Sequence, residues 1–212
     1  MKKTSRHPAC PLRRPSTSRL ILWAVLLAFF SPIARADEPM APPGAELGVD
    51  FFGGARFLGS DWSPVDTHAA GGIEFRVRPK NWPVRFLTAV YVSGRKNGSF
   101  DGLELELTLT DVGAGIEIPF RTSPRTELWI GGVATWVEAT AAFASSFSQS
   151  TEDSAAAFVN AGFTARVTDH FHVGVEGRWL TGTSMSLQAP FGGAVPTDVD
   201  HTQVGALFGW RW

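Results

Sequence analysis

The stretch Gln203-Val-Gly-Ala-Leu-Phe-Gly-Trp-Arg-Trp212 alternates Val204, Ala206, Phe208, Trp210 and Trp212 with Gln203, Gly205, Gly209 and Arg211. Successive side chains of a strand point to opposite faces, so one face here is apolar and Trp-rich while the other is small, polar or cationic. A wall between hydrocarbon and a polar interior requires this kind of strand, and the stretch reads as the closing strand of a membrane-spanning β-barrel. Taken alone, it also fits the last strand of a soluble β-sandwich.

The other end of the chain bears on that choice. Residues 1–19 carry Lys2, Lys3, Arg6, Arg13, Arg14 and Arg19 with no acid, and are followed by an apolar run from Leu20 to Phe30 and by Ala34-Arg35-Ala36. This is the order of n-region, h-region and A-x-A site, so residues 1–36 are expected to be a cleaved signal peptide and Asp37 the first mature residue. Nothing around Arg13-Arg14 adds to a twin-arginine signal, and ordinary export is expected. The run is too short to span a bilayer as a helix. Cys10 precedes the h-region and leaves with the signal, so the mature chain has no disulfide, zinc thiolate or thiol nucleophile. The signal removes seven of the 19 Lys and Arg residues and none of the 20 Asp and Glu, leaving 12 basic against 20 acidic residues, a net charge of −8. Such a surface argues against nucleic acid as a partner. The 176 residues after Ala36 suit one domain and contain no apolar run long enough for a transmembrane helix, so a membrane-spanning form must be a barrel.

Residues 37–45, with Pro39, Pro42 and Pro43, form a Pro-rich periplasmic lead-in that cannot pair as a strand. Strands are expected near 46–58, 69–78, 83–94, 103–118, 127–143, 155–167, 171–185 and 199–212. Residues 46–212 therefore read as an all-β domain, an eight-stranded antiparallel up-and-down transmembrane β-barrel. Three connections are tight, at 78–83, 119–126 and 168–170; four are longer and rich in Gly, Ser, Asp and Asn, at 59–68, 94–102, 144–154 and 186–198. Short turns at one end and long loops at the other place the tight end in the periplasm and the loops outside, with both termini periplasmic.

Charges collect on one face. Leu47, Val49, Phe51 and Phe57 oppose Glu46, Asp50 and Arg56; Ile73, Phe75 and Val77 oppose Glu74, Arg76 and Arg78. Val159, Ala161, Phe163 and Ala165 oppose Asn160, Thr164 and Arg166; Val173, Val175 and Trp179 oppose His172, Glu176 and Arg178. In the fourth segment Leu103, Leu105, Leu107 and Leu109 give way to Val112, Ala114, Ile116 and Ile118, and the change of parity at Thr110-Asp111 predicts a β-bulge. In the fifth, Trp129 and Trp136 have opposite parity, which leaves their facing open. Most of the tryptophans lie near strand ends, where aromatic girdles sit.

The inward set is Glu46, Asp50, Glu74, Glu117 and Glu176 with Arg56, Arg76, Arg85, Arg166, Arg178 and Arg211. Eight strands leave room inside for little more than side chains. These charges are therefore expected to form a paired polar plug, with a small-solute or ion channel as the alternative.

The signal, the meander and the Gly205-x-x-Phe208-x-Trp210-x-Trp212 ending together resemble the small eight-stranded outer-membrane barrels, the group that includes the transmembrane domain of outer membrane protein A and outer membrane proteins X and W. The resemblance covers 46–212. It implies the outer membrane of a Gram-negative bacterium, contact with outer-membrane lipid and lipopolysaccharide, and recognition of the terminal strand by the barrel-assembly machinery.

Three roles compete. Ser184 and Ser186 with Asp198, Asp200 and His201 flank one hairpin and could supply the serine, histidine and carboxylate of a lipid A-modifying esterase. The resemblance does not extend to that activity, because His201-Thr-Gln-Val lacks the His-x-Ser-Asn stretch of outer-membrane lipid A deacylases. A second role uses the loop rim, where Asp61, Asp66, Asp101, Glu104, Glu106, Glu152, Asp153, Asp198 and Asp200 face only Arg95 and Lys96. Such a rim could hold divalent cations beside lipopolysaccharide phosphates or meet a basic partner, although no calcium-loop spacing is present and solvation alone accounts for it. Trp62 could stack on a sugar. His68, His170 and His172, at a loop edge and a turn, read as solvated. The expected function is the third, a non-enzymatic structural or surface-interaction role without a cofactor; a soluble secreted β-protein is the non-membrane alternative.

Overall fold

Each segment of alternating polarity becomes one strand of a closed sheet. The computed structural model describes residues 44–212 apart from 60–61, 63–64, 101–102, 144–147 and 189–193, so the expected signal peptide and nearly all of the lead-in lie outside the described residues. The strands are β1 (Ala45–Leu58), β2 (Thr67–Pro79), β3 (Arg85–Phe100), β4 (Leu103–Arg121), β5 (Thr126–Phe143), β6 (Ser148–Arg166), β7 (Phe171–Thr181), β8 (Met185–Gln188), β9 (Ala194–Thr197) and β10 (His201–Arg211). Eight of them close an antiparallel barrel in the order β1-β10-β7-β6-β5-β4-β3-β2, and β8 and β9 form a separate hairpin within the β7–β10 connection. The hairpin flanked by Ser184 and His201 was expected to run as a loop over 186–198, and part of it is strand.

The closing seam pairs Gly48 with Arg211 through to Leu58 with His201. Reciprocal backbone bonds between Leu47 and Trp212, at 3.1 and 2.9 Å, carry the ladder to the last residue. Midway, Gly54 faces Gly205. A Cβ on Gly54 would stand 2.2 Å from the Val204 carbonyl oxygen, so the seam closes at this level only because the residue has no side chain.

Two expectations about the strands are corrected and one open facing is resolved. Both ladders of β4 run unbroken across Thr110-Asp111, and the register shift lies instead between Arg95 and Gly98 of β3. Leu107, Leu109, Asp111 and Glu117 all face inward while Val112, Ala114, Ile116 and Ile118 face out. The hydrophobic pattern changes parity because the interior itself turns from charged to apolar, not because the strand slips. Secondly, most of the loops expected at 94–102 and 144–154 are strand, since polar residues continue to pair above the apolar belt. Thirdly, the fifth-strand ambiguity resolves with Trp129 inside, 2% exposed, and Trp136 outside.

The outward face carries no charged residue along the stretches from 47 to 57, 67 to 79, 86 to 94, 112 to 120, 128 to 136, 155 to 165, 171 to 181 and 202 to 212. Aromatic rows bound this belt. Trp82, Trp210 and Trp212 lie exposed at the turn end, with Phe171 and Trp210 rings 5.1 Å apart; Phe57, Trp136 and Trp179 lie exposed toward the loop end. From Phe171 to Trp179 the strand advances about 26 Å at roughly 3.3 Å per residue, which after strand tilt of about 40° is on the order of 20 Å along the barrel axis.

Candidate functional site: the interior charge network and its mouth

Because strands alternate, every second residue of the eight strands projects into the lumen. At the turn end these residues are ionic. Arg76, on β2, is the hub: it pairs with Asp50 and Glu74, and with Glu117 at 3.0 Å and Glu176 at 3.2 Å. Asn160 of β6 donates to Glu117 at 2.8 Å and to Glu176 at 3.2 Å, tying the opposite wall in. Arg85 bridges Glu117 and Glu127, both at 2.7 Å, and Arg211 meets Glu127 at 3.0 Å. The Trp129 ring lies beneath the Arg76 and Arg85 guanidiniums, 5.2 and 5.5 Å from its centroid.

Arg178 closes the layer. It pairs with Glu74 and with Glu176 at 2.6 Å, while its guanidinium stacks 3.4 Å from the Tyr91 ring centroid and 4.7 Å from that of Phe52. Tyr91 in turn donates its hydroxyl to Glu74 at 2.6 Å. Above this aromatic floor one further ion pair, Arg56 with Asp111, is joined by Gln203, which accepts from Arg56 at 3.1 Å. Toward the loops the interior becomes apolar, with Leu58, Leu107, Leu109, Val137, Leu180, Val65, Val199 and Met185 buried together. Buried charge of this density is tolerated only where partners meet each ion, and here six carboxylates face five guanidiniums, with His172 hydrogen-bonded to Asp50.

Several side chains lie elsewhere than the sequence suggested. Arg166, expected inside, is exposed at the turn end, because parity fixes a face but not a depth. Glu46 sits at the rim, 3.4 Å from Arg121 and 3.7 Å from Arg211. His172, read as solvated, is 3% exposed and bonded through Nε2 to Asp50. His68, also read as solvated, is buried, with Nε2 2.8 Å from the Val65 carbonyl. Sequence reasoning missed Asp111, Glu127 and His172 as members of the network. Asp111 shares the parity of Glu117 and was legible on that ground; Glu127 lies at a strand start, where facing is hard to read.

The Ser184, Ser186 and His201 grouping does not assemble. Ser184 and Ser186 are exposed, whereas His201 is buried with Nδ1 2.8 Å from the Val199 carbonyl and Nε2 3.9 Å from Asp111. Trp62, the candidate for sugar stacking, packs on the apolar plug and donates Nε1 to the Asp198 carbonyl at 2.6 Å. Asp200 is an anchor: it accepts from the Thr183 amide at 2.9 Å and hydroxyl at 2.6 Å, from the Thr181 hydroxyl at 2.8 Å and from the Gly182 amide at 3.2 Å. Partial burial raises its carboxyl pKa, but these donors, Thr183 foremost, outweigh burial and hold it below the ordinary Asp range. A depressed carboxylate stabilises above its unfolded pKa and loses that contribution as pH falls through the folded value. The Thr183 amide shift is accordingly expected to titrate with a midpoint below about 3.9. A midpoint at or above that value in NMR spectra would contradict the anchor.

No family model matches the chain, and no curated protein matches it. Solved structures do. Ail, the attachment invasion locus protein of Yersinia pestis, superposes with a TM-score of 0.57 at 12% identity over 80% of this chain and 99% of Ail. Neisserial surface protein A gives 0.56 at 16% identity, over 80% of this chain and 97% of that one. The outer membrane protein OprG of Pseudomonas aeruginosa gives 0.55 at 14% identity, over 80% and 96%. The fold is that of the small eight-stranded outer-membrane barrels. Ail is also known in complex with the heparin analogue sucrose octasulfate. Within the small-barrel fold, the chain carries its charge inside and its apolar surface outside, the reverse of a water-soluble barrel.

Proposed function

We propose that this chain spans the outer membrane of a Gram-negative bacterium as a side-chain-filled barrel with a structural or surface-interaction role and no chemistry of its own. The observation that carries this reading is the inverted polarity: a charge-free outward belt between two aromatic rows around an interior of paired ions. Hydrocarbon demands that belt, and water would penalise it. The turn end faces the periplasm with both termini, and the loop end faces out. Terminal-strand residues Gly205, Phe208, Trp210 and Trp212 serve recognition by the barrel-assembly machinery, and lipid and lipopolysaccharide surround the belt.

Among the described residues, the loop end carries Asp66, Glu152, Asp153, Asp198 and Asp200 against Arg95, an acidic balance. A sulfated polyanion of the kind held by Ail is repelled by such a rim; a basic partner, or divalent cations beside lipopolysaccharide phosphates, suits it. The test is fractionation and gel mobility. The protein is expected in the outer-membrane fraction, migrating faster before boiling than after, and conducting little or nothing in a planar bilayer because ion pairs and apolar residues fill the lumen. Recovery in the soluble periplasm without detergent would overturn the membrane reading; a large stable conductance would overturn the plug.

A further inference from the structure

The turn end of the barrel opens into a small cleft, continuous with solvent, whose lining includes Arg121, Arg125, Glu127, Arg166, His172 and Arg211. Four guanidiniums thus surround one carboxylate, and that carboxylate is already held by Arg85 at 2.7 Å and Arg211 at 3.0 Å. Arg121 has Glu46 at 3.4 Å. The side chains of Arg125 and Arg166 ion-pair with no acid among the described residues, and the Arg166 amide donates to the Arg125 carbonyl at 2.7 Å, so the two stand side by side on adjoining turns.

A second observation is independent of the surface charge. His172 is 3% exposed and its Nε2 is engaged by Asp50, yet its Nδ1 has no partner; the Nη2 of Arg211 is buried and equally unpartnered. Buried polar atoms without partners in a native interior call for a ligand or water. The unpartnered groups are therefore one guanidinium nitrogen of Arg211 and the second ring nitrogen of His172.

We propose that this mouth binds a phosphate group, whose anionic oxygens accept from Arg211 Nη2 and from the Arg125 and Arg166 guanidiniums and lie against His172 Nδ1. Guanidinium forks match phosphate oxygens in geometry as well as charge. Inorganic phosphate, a phosphate monoester and a lipid phosphodiester all carry such oxygens, so the chemistry is shared and the source is decided by the experiment. That the site faces the periplasm rests on the orientation proposed above, but the binding does not.

The experiment uses the folded protein in maltoside micelles, titrated calorimetrically at constant ionic strength with inorganic phosphate and, in a second arm, with phosphatidylglycerol added to the micelles. Saturable phosphate binding is expected, weakened at least tenfold in the double variant Arg125→Ala/Arg166→Ala and unchanged in Lys80→Ala, which removes a cation from a different turn. Unchanged heat-modifiable mobility of the variants shows that the barrel is intact. Saturation by phosphatidylglycerol with the same variant dependence, and not by free phosphate, supports the site and assigns it to a lipid headgroup. Absence of saturable binding in both arms, or equal weakening by Lys80→Ala, overturns the proposal.

Discussion

Glu117→Gln is expected to lower the stability of the folded barrel by about 3–5 kcal/mol, the typical cost of breaking a buried ion pair from one side. Glu117 is fully buried and accepts from Arg76 at 3.0 Å, from Arg85 at 2.8 Å and from Asn160 at 2.8 Å. The amide keeps the shape and one acceptor but loses the charge, while its NH2 turns a donor toward guanidiniums that have nothing to accept with. Arg76 retains Asp50, Glu74 and Glu176, and Arg85 retains Glu127, so the ions stay buried with fewer counter-charges. The comparison is Glu46→Gln, which loosens contacts to Arg121 at 3.4 Å and Arg211 at 3.7 Å at the rim, where side chains meet water and a pair is worth about 0–1 kcal/mol. Urea unfolding in detergent micelles should separate the two midpoints clearly. Coincident midpoints would mean that water reaches Glu117 and that the lumen is not a sealed plug.

How much of this was legible in the sequence differs from feature to feature. The facing of the terminal strand follows from parity alone: Phe208, Trp210 and Trp212 are exposed and Gln203 and Leu207 are buried. Strand number and antiparallel order follow from the same alternation together with turn chemistry. Depth along the barrel axis does not. Arg166 and Asn160 share one face of β6, yet Asn160 is buried at the centre of the network and Arg166 lies outside it, because one sits mid-strand and the other at the last residue before a turn. Pairing across the lumen is equally silent. Arg76 meets Glu176 across a separation of 100 residues, and no local pattern encodes which acid an inward arginine will find. The leucines of β4 misled for a related reason: an interior that is ionic at one end and apolar at the other reverses the hydrophobic signal along a single unbroken strand. Loop lengths misled because a strand that leaves the belt keeps its ladder after it loses its apolar face, as β6 does from Ser148 onward.

The second large effect is expected at the seam, where Gly54→Val should abolish the closed barrel while the neighbouring Gly53→Val is tolerated. Gly54 faces inward opposite Gly205, and a Cβ there would lie 2.2 Å from the Val204 oxygen and 2.5 Å from the Gly205 Cα. Both obstacles are backbone of the partner strand, so no rotamer change relieves them; the strands must move apart. Separation at this one level breaks hydrogen bonds that have no alternative partner in hydrocarbon, and β1 with β10 is the pairing of first and last strands that closes the sheet. The penalty should therefore exceed the roughly 1–3 kcal/mol of ordinary overpacking. At Gly53 the same substitution meets nothing within 4 Å, on the outward face where a β-branched side chain suits both strand and lipid. The readout is the fraction of protein showing compact, heat-modifiable mobility after refolding into micelles, expected near the wild-type value for Gly53→Val and at least tenfold lower for Gly54→Val. Equal yields of compact protein from the two variants would show that the seam can widen without opening, and that closure does not depend on this close backbone approach.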